Sequence, residues 1–358
     1  MTETDTTMTE ERKSMSLNVV VAGLPKAVQD ARDPDEGIWL TEDQRARIEG
    51  VAADVHLEHI PVSELHAGRR PQRPPQAIMV ETSGEKAGIE GEQGILRLPG
   101  LERLITPELR LIQSMSAGVE HLVGLVPEGV TLANASGVAA NAIAETVISE
   151  ILADAKMLRE RWANHDAHRW QELPARELTG STMTVLGTGH IGARTARLAQ
   201  AFGIRTLGIN RRGNAVDGFD EIATAGALHD ALAESDYLVI AAPLTSATAG
   251  IVDAAALNAM KAGGWVANVS RGAVHDSDAL VAALQSGHLR GALIDCHVQE
   301  PLPADDPLWD APGAVVLPHD SHASQLLGDR QVDLFVDNLG RMVAGEPLRN
   351  VIDPARGY

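Results

Sequence analysis

Apolar residues follow two rhythms along this chain. Short runs of branched aliphatic residues occur at Leu17 to Ala22, Val55 to Ile60, Ala77 to Glu81 and Leu111 to Met115. Bounded by polar and turn-forming residues, they predict strands. The stretches between them predict helices, and so a small parallel α/β unit. Gly84, Gly88, Gly91 and Gly94 lie among charges and predict a mobile loop. From Asn141 the spacing changes. Ile143, Val147, Ile148, Ile151 and Leu152 share one face of a predicted helix, with Asn141 as its expected N-cap. A polar stretch from Arg159 to Glu177, carrying Trp162 and Trp170, follows that helix.

After Thr182 the alternation is regular. Strands are predicted at Thr184–Leu186, Thr206–Asn210, Tyr237–Ala242, Trp265–Val269, Ala292–Asp295 and Ala314–Leu317. Helices are predicted at Gly192–Phe202, Ala227–Ala233, Ala254–Met260 and Asp278–Gln285, with a last amphipathic helix at Gln325–Val343. Apolar runs separated by helices imply a parallel sheet covered on both faces. No internal repeat or low-complexity segment interrupts this pattern.

Composition narrows the picture. A chain of 358 residues is long for one domain and implies two. Aromatics are only 3%, so Ala, Val, Leu and Ile must do most of the packing. The net charge of −19 argues against a nucleic-acid partner, because phosphate backbones need basic surface. An anionic ligand would need a local positive site acting against the overall field. Cys296 is the single cysteine, so no internal disulfide is possible, in keeping with a reducing cytoplasm. No apolar run reaches the length of about 18 residues that a membrane span needs. Met1 to Ser16 is polar, lacks the apolar centre of a secretory signal, and is read as a disordered tail. Together these features imply a cytoplasmic protein.

The strand at Thr184–Leu186 runs into Gly187-Thr188-Gly189-His190-Ile191-Gly192, which opens a helix. In that setting the first glycine permits a tight turn. The second admits backbone to a pyrophosphate, and the third lets helix and strand pack closely. At the end of the next strand, an Asp or Glu would bind the ribose hydroxyl of NAD. This chain has Asn210-Arg211-Arg212 there. Two guanidinium groups without a carboxylate suit the 2′-phosphate of NADP, with NAD the lesser expectation. The motif begins at the middle of the chain, and little more than one helix follows the last strand. The economical arrangement inserts a cofactor domain, 139–323, into a split substrate domain, 17–138 with 324–358. A cleft between them would then be the natural site.

Several further motifs occur in a telling order: Ser116-Ala117-Gly118-Val119, Ala144-Glu145, Asn268-Val269-Ser270-Arg271-Gly272, Asp295 followed by Glu300-Pro301-Leu302-Pro303, and Pro318-His319. Over roughly Leu104 to Asn338 the chain resembles the D-isomer-specific 2-hydroxyacid dehydrogenases, which include glyoxylate/hydroxypyruvate reductases. The resemblance implies two Rossmann-like, doubly wound parallel-sheet domains and hydride transfer between NADP(H) and a small 2-oxo or 2-hydroxy acid. It assigns catalytic roles to Arg271, Glu300 and His319. Backbone N–H groups at Ala117 and Gly118 would hold the substrate carboxylate. Pro243, Thr248 and Val269 would line the cofactor, with Asp295 at the nicotinamide carboxamide. It also implies a homodimer paired through the region of the Asn141 helix and the tryptophans.

The chemistry fits these residue types. Arg271 follows a strand and could grip a carboxylate and polarise a ketone. His319 also follows a strand, and imidazolium is a proton donor near neutral pH. A carboxylate at Glu300 would orient that ring and favour its charged form. His319 and His322 have a metal-like spacing, but no cluster completes a ligand set, and no metal is expected. Cys296, beside Asp295 on an apolar strand, is read as an inert buried thiol. Ala241-Ala242 before Pro243, His297, and Asp320-Ser321-His322 depart from the family pattern and imply a specialised or polar substrate. A non-enzymatic NADP(H)-sensing protein-interaction module and oxidation of a different small anion, such as phosphite or formate, remain alternative readings.

Overall fold

The computed structural model describes residues 16–23, 40–61, 64–65, 67–80 and 100–353. The glycine-rich Gly84–Gly94 segment and the tail before Ser16 lie outside the described residues. The chain divides into two compact units, 1–138 with 325–358, and 139–324.

In the first unit, described strands β1 (Ser16–Gly23), β2 (Asp54–Pro61), β3 (Ala77–Val80), β4 (Leu111–Ser114) and β5 (Thr131–Ala133) form a parallel sheet ordered β2-β1-β3-β4-β5. Helix α1 (Glu42–Glu49) starts in a capping box, in which Thr41 and Gln44 satisfy each other's backbone N–H groups. A short helix α2 (Glu120–Val123) follows β4.

Strand alternation divides the core. Val20, Ala22, Ile78, Val80 and Ile112 pack on one face, while Leu17, Val19, Val21 and Met79 pack on the other. The second face is covered by the long C-terminal helix α9 (Leu327–Ala344), through Val332, Phe335 and Leu339. Polar groups reinforce this return of the chain. Buried Asn338 donates to Gln113 Oε1 at 2.8 Å and accepts from Arg349 N–H at 2.7 Å.

The second unit begins with α3 (Ala140–Ala155) and α4 (Leu158–Asp166). Asn141 lies inside α3 and does not cap it. The N-cap is Ala139, with no side-chain hydrogen bond, so the helix starts two residues earlier than a cap at Asn141 implies. There follow β6 (Thr182–Leu186), α5 (His190–Ala201), β7 (Arg205–Asn210), β8 (Glu221–Thr224), α6 (Leu228–Ala233), β9 (Tyr237–Ile240), α7 (Ala254–Ala259), β10 (Gly264–Asn268), α8 (Ser277–Gln285), β11 (Leu289–Ile294) and β12 (Ala314–Val316). The described strands form one parallel sheet ordered β12-β11-β10-β9-β6-β7-β8. Short β5 and β8 carry little apolar periodicity and were not expected from sequence.

Both faces of this sheet are buried. Met183, Val185, Val239, Ala267 and Leu293 meet Ile143, Val147 and Ile151 of α3. Leu238, Ile240, Val266, Ala292 and Ile294 meet Leu257, Leu280 and Leu284 on the opposite side. At the C-terminal end of α3, Asp154 accepts from Arg290 Nε at 2.8 Å, and that guanidinium lies 4.9 Å over the Tyr237 ring. The fold is therefore two doubly wound parallel-sheet α/β units, each with helices against its sheet.

Phe335 is fully buried among the strands of the first unit. Replacing it with Ala is expected to cost about 3–5 kcal/mol of that unit's stability by cavity formation. Urea unfolding measures this, and an unchanged midpoint would show that the C-terminal helix is not part of the core.

Candidate active site

Strand order reverses at β6, and there the glycine turn lies. Gly187 has φ +101°, and a Cβ on it would sit 2.5 Å from the Ala242 backbone nitrogen. A Cβ on Gly192 would lie 2.0 Å from the Gly187 carbonyl oxygen. Neither position can carry a side chain, so α5 starts directly against its strand. Gly189 is the extended N-cap and offers no side-chain cap. The first-turn N–H groups of His190, Ile191 and Gly192 lack intrahelical acceptors and present the positive end of the helix.

Asn210, at the end of β7, holds its loop together. Its Oδ1 accepts from Arg212 N–H at 3.0 Å and Gly213 N–H at 2.7 Å, and its Nδ2 donates to Thr188 Oγ1 at 3.1 Å. The amide therefore links the glycine turn to the following loop, on which Arg211 and Arg212 are exposed. After β9, the Thr248 hydroxyl donates to the Pro243 carbonyl at 2.6 Å and accepts from Thr245 N–H at 2.8 Å, which fixes that loop.

At the end of β10, fully buried Asn268 organises the Arg271 segment. Its Oδ1 accepts from Ser270 N–H and Oγ, both at 3.0 Å, and its Nδ2 donates to the Arg271 carbonyl at 2.9 Å. The other Nδ2 hydrogen meets His275 Nδ1 at 2.8 Å, so that nitrogen is an unprotonated acceptor. Burial, with His297 nearby, pushes His275 down to about 4 and keeps it neutral. Val269 is buried beside Asn268. Gly272 packs so closely that a Cβ would lie 2.2 Å from the His297 carbonyl carbon. The Arg271 segment is thereby pressed against the one that leads to Glu300.

Glu300 and His319 are brought together, with His319 Nδ1 2.9 Å from Oε2 and 3.2 Å from Oε1. Glu300 Oε1 also accepts from His297 N–H at 2.8 Å. Burial opposes the charge on Glu300, but hydrogen bonds from His319 and His297 N–H outweigh it and lower its pKa. Contact with Cys296 and pairing with Glu300 outweigh burial at His319 and raise its pKa. Cys296 is 1% exposed, and burial pushes its thiol up, so near pH 7 the charge that favours the imidazolium is that of Glu300. His319 holds a left-handed backbone, φ +55°.

Two departures from the family pattern are hydrogen-bonded within the unit. His297 turns its Nε2 to the Leu317 carbonyl at 3.0 Å. Ser321 is 4% exposed and binds Asp295, because its hydroxyl fits against that buried carboxylate. Exposed Asp320 behaves differently. In the first unit, Ala117 is exposed after β4, and its carbonyl accepts from Asn134 Nδ2 at 2.7 Å. Gly118 follows in the same loop. Among the described residues no group of three or more His, Cys, Asp or Glu could hold a metal ion. No helix among them is long and apolar enough to cross a membrane.

The family model for D-isomer specific 2-hydroxyacid dehydrogenase, NAD binding domain, matches residues 148–321. Glyoxylate/hydroxypyruvate reductase B of Pectobacterium carotovorum is 32% identical over 323 residues, 88% of this chain and 96% of that protein. The chain belongs to the D-isomer specific 2-hydroxyacid dehydrogenase family. A solved family member from Aeromonas salmonicida superposes with a TM-score of 0.78 at 26% identity, over 95% of this chain and 100% of its own. Another, from Xanthobacter autotrophicus, was solved with NADPH and MES. It gives a TM-score of 0.73 at 27% identity, over 96% of this chain and 100% of its own.

NAD(P)-dependent oxidoreduction of 2-hydroxy acids is the chemistry of this dehydrogenase family. The site residues fit a dinucleotide: two glycines pack a helix N-terminus onto a parallel strand at the switch point. The sequence motifs include Asn268 and Ser321 without showing what either binds, and they do not single out His275. An Asn three residues before a candidate Arg, at a strand's carboxyl end, was a readable signal for the first. For the other two, only folding reveals the partner.

Proposed function

We propose that this dehydrogenase is an NADP(H)-dependent reductase of a small 2-oxo acid, yielding the D-2-hydroxy acid. The observation that carries the reading is the His319–Glu300 pair, held beside the buried network that shapes the Arg271 segment. Bound nicotinamide supplies the hydride to the carbonyl carbon, or takes it in the reverse direction. His319 gives its Nε2 proton to the carbonyl oxygen as that oxygen gains charge, and recovers one in oxidation. Glu300 keeps the ring oriented through Nδ1 and stabilises the imidazolium. Arg271 grips the substrate carboxylate and polarises the ketone. In the first unit, Ala117 and Gly118 are proposed as backbone donors to the substrate carboxylate.

Gly187, Gly189, His190, Ile191 and Gly192 are the proposed pyrophosphate cradle, with Pro243, Thr248 and Val269 along the cofactor. Arg211 and Arg212, on the loop that Asn210 organises, are proposed to hold the 2′-phosphate. Trp162 is 61% exposed on α4, and Trp170 beyond it is fully exposed. Together with α3 they favour a homodimer formed through this region.

Four measurements check these assignments. His319→Ala and Arg271→Ala are each expected to lower kcat/KM by about a hundred- to ten-thousandfold with circular dichroism unchanged; near-normal kinetics would end the assignment. Glu300→Gln removes the charge that raises His319. The pH at which reductive kcat/KM begins to fall should therefore move down by about 1–3 units. Glyoxylate, hydroxypyruvate and related 2-oxo acids, assayed with NADPH and NADH side by side, should give the higher kcat/KM with NADPH. Equal or better values with NADH would remove the NADP assignment, and tight NADPH binding without turnover of any acid would favour a sensor. Light scattering should give the mass of a dimer, and a monomer would remove that claim.

A further inference from the structure

Asp295 follows β11 and is 2% exposed. The resemblance places its carboxylate at the nicotinamide carboxamide, but in the fold both oxygens are engaged by one residue. Ser321 N–H donates to Oδ1 at 3.1 Å, and the Ser321 hydroxyl donates to Oδ2. Asp295 is itself anchored, its N–H donating to the Asn268 carbonyl at 3.0 Å. The Ser321 carbonyl accepts from Thr146 Oγ1 of α3 at 3.3 Å. Ser321 is thus held at its N–H, its hydroxyl and its carbonyl, and only Asp320 separates it from His319. His319 has φ +55°, a conformation that a non-glycine residue keeps only where its surroundings impose it.

The geometry points to the Asp295–Ser321 pair as a positioning device that fixes the backbone at His319 and so aims its ring at Glu300. Its functional meaning rests on the reading of His319 as the proton donor, but its geometry does not. The chemical reason is the buried carboxylate. Removed from water, it must be hydrogen-bonded, and the two donors of Ser321 meet that need in a single arrangement. That arrangement fixes the chain direction at the turn after His319. Each Asp295 oxygen accepts one hydrogen bond from Ser321 and keeps a lone pair for a further donor, so the positioning role is additional to any contact with the cofactor.

The groups around His319 are few. Glu300 and Cys296 bear on its ring. Asp295 and Arg271 act on Cys296, and His297 acts on Glu300. Asp295 acts on Cys296, and its proposed influence on His319 passes through backbone position.

The test compares Ser321→Ala and Asp295→Asn with the parent protein. The titration midpoint of His319 is read by NMR in the cofactor-free protein, with the signal assigned by its loss in His319→Ala. NADPH binding is read by fluorescence and turnover by steady-state kinetics. Both variants should loosen the His319–Glu300 pair and lower the midpoint by at least about half a pH unit. Turnover should fall by about ten- to a hundredfold, and in Ser321→Ala the NADPH dissociation constant should stay unchanged. An unchanged midpoint overturns the proposal, whatever happens to thermal stability. In Asp295→Asn, weaker NADPH affinity with an unchanged midpoint overturns it in favour of a cofactor contact alone. Should Asp295→Asn fail to fold, Ser321→Ala, which removes one hydroxyl, decides alone. A lowered midpoint in a protein whose parent reduces no 2-oxo acid would support the positioning role while removing the reductase reading.

Discussion

Parallel pairing is the constraint on which the rest of the structure depends. Parallel strands cannot be joined by tight turns, so each needs a crossover, and most crossovers of the second unit lay a helix on one face of the sheet. In the second unit this covers both faces, on one side with α3 and on the other with α7 and α8. Backbone and side chains stay accessible only along the strand ends. Every strand points the same way, so the glycine turn after β6, Asn210 after β7, Pro243 after β9, Arg271 after β10, Asp295 after β11 and His319 after β12 gather at one edge. The reversal of strand order at β6 opens that edge where the helix N-terminus stands.

In this strongly acidic chain, three features concentrate positive potential within one unit. The N-terminus of α5 presents oriented N–H groups. Arg211 and Arg212 stand exposed on a loop whose backbone is gathered by the Asn210 amide. Arg271 leaves a segment whose carbonyl and amide groups are taken by Asn268. In each case uncharged hydrogen bonds set where the cationic group stands. His275 shows the same economy: it is kept neutral by burial so that its Nδ1 can accept from Asn268.

The loops along that edge are not independent. Gly272 lies against the His297 backbone, and His297 N–H holds Glu300. Glu300 holds His319, and Asp295 holds Ser321 beyond it while its own N–H reaches the carbonyl of Asn268. A side chain added at Gly272 would disturb the Glu300 segment as directly as that of Arg271. Such coupling keeps charged groups at fixed separations in a site where a small displacement is costly. It also explains why His297 and Ser321, polar where the family pattern is usually apolar or small, need not face a substrate. Their polar atoms are engaged within the protein.

Periodicity alone determined much of this protein. The strand runs from Leu17 to Leu317, the helical face from Ile143 and the glycine turn are local patterns, legible because burial of one face repeats at the period of the element. The two α/β units and the family follow from the order of those patterns. Short β5 and β8 escaped notice, since three or four residues with partial burial carry too little periodicity. Asn141 misled because a good capping residue says nothing of where tertiary packing begins the helix. The candidate residues Arg271, Glu300 and His319 were readable as types at strand ends. Their partners were not. That Asn268 binds His275, that Cys296 touches His319, and that Asp295 answers to Ser321 depend on contacts between loops far apart in sequence. Only the sheet, by bringing its carboxyl ends into one row, decides which of those loops meet.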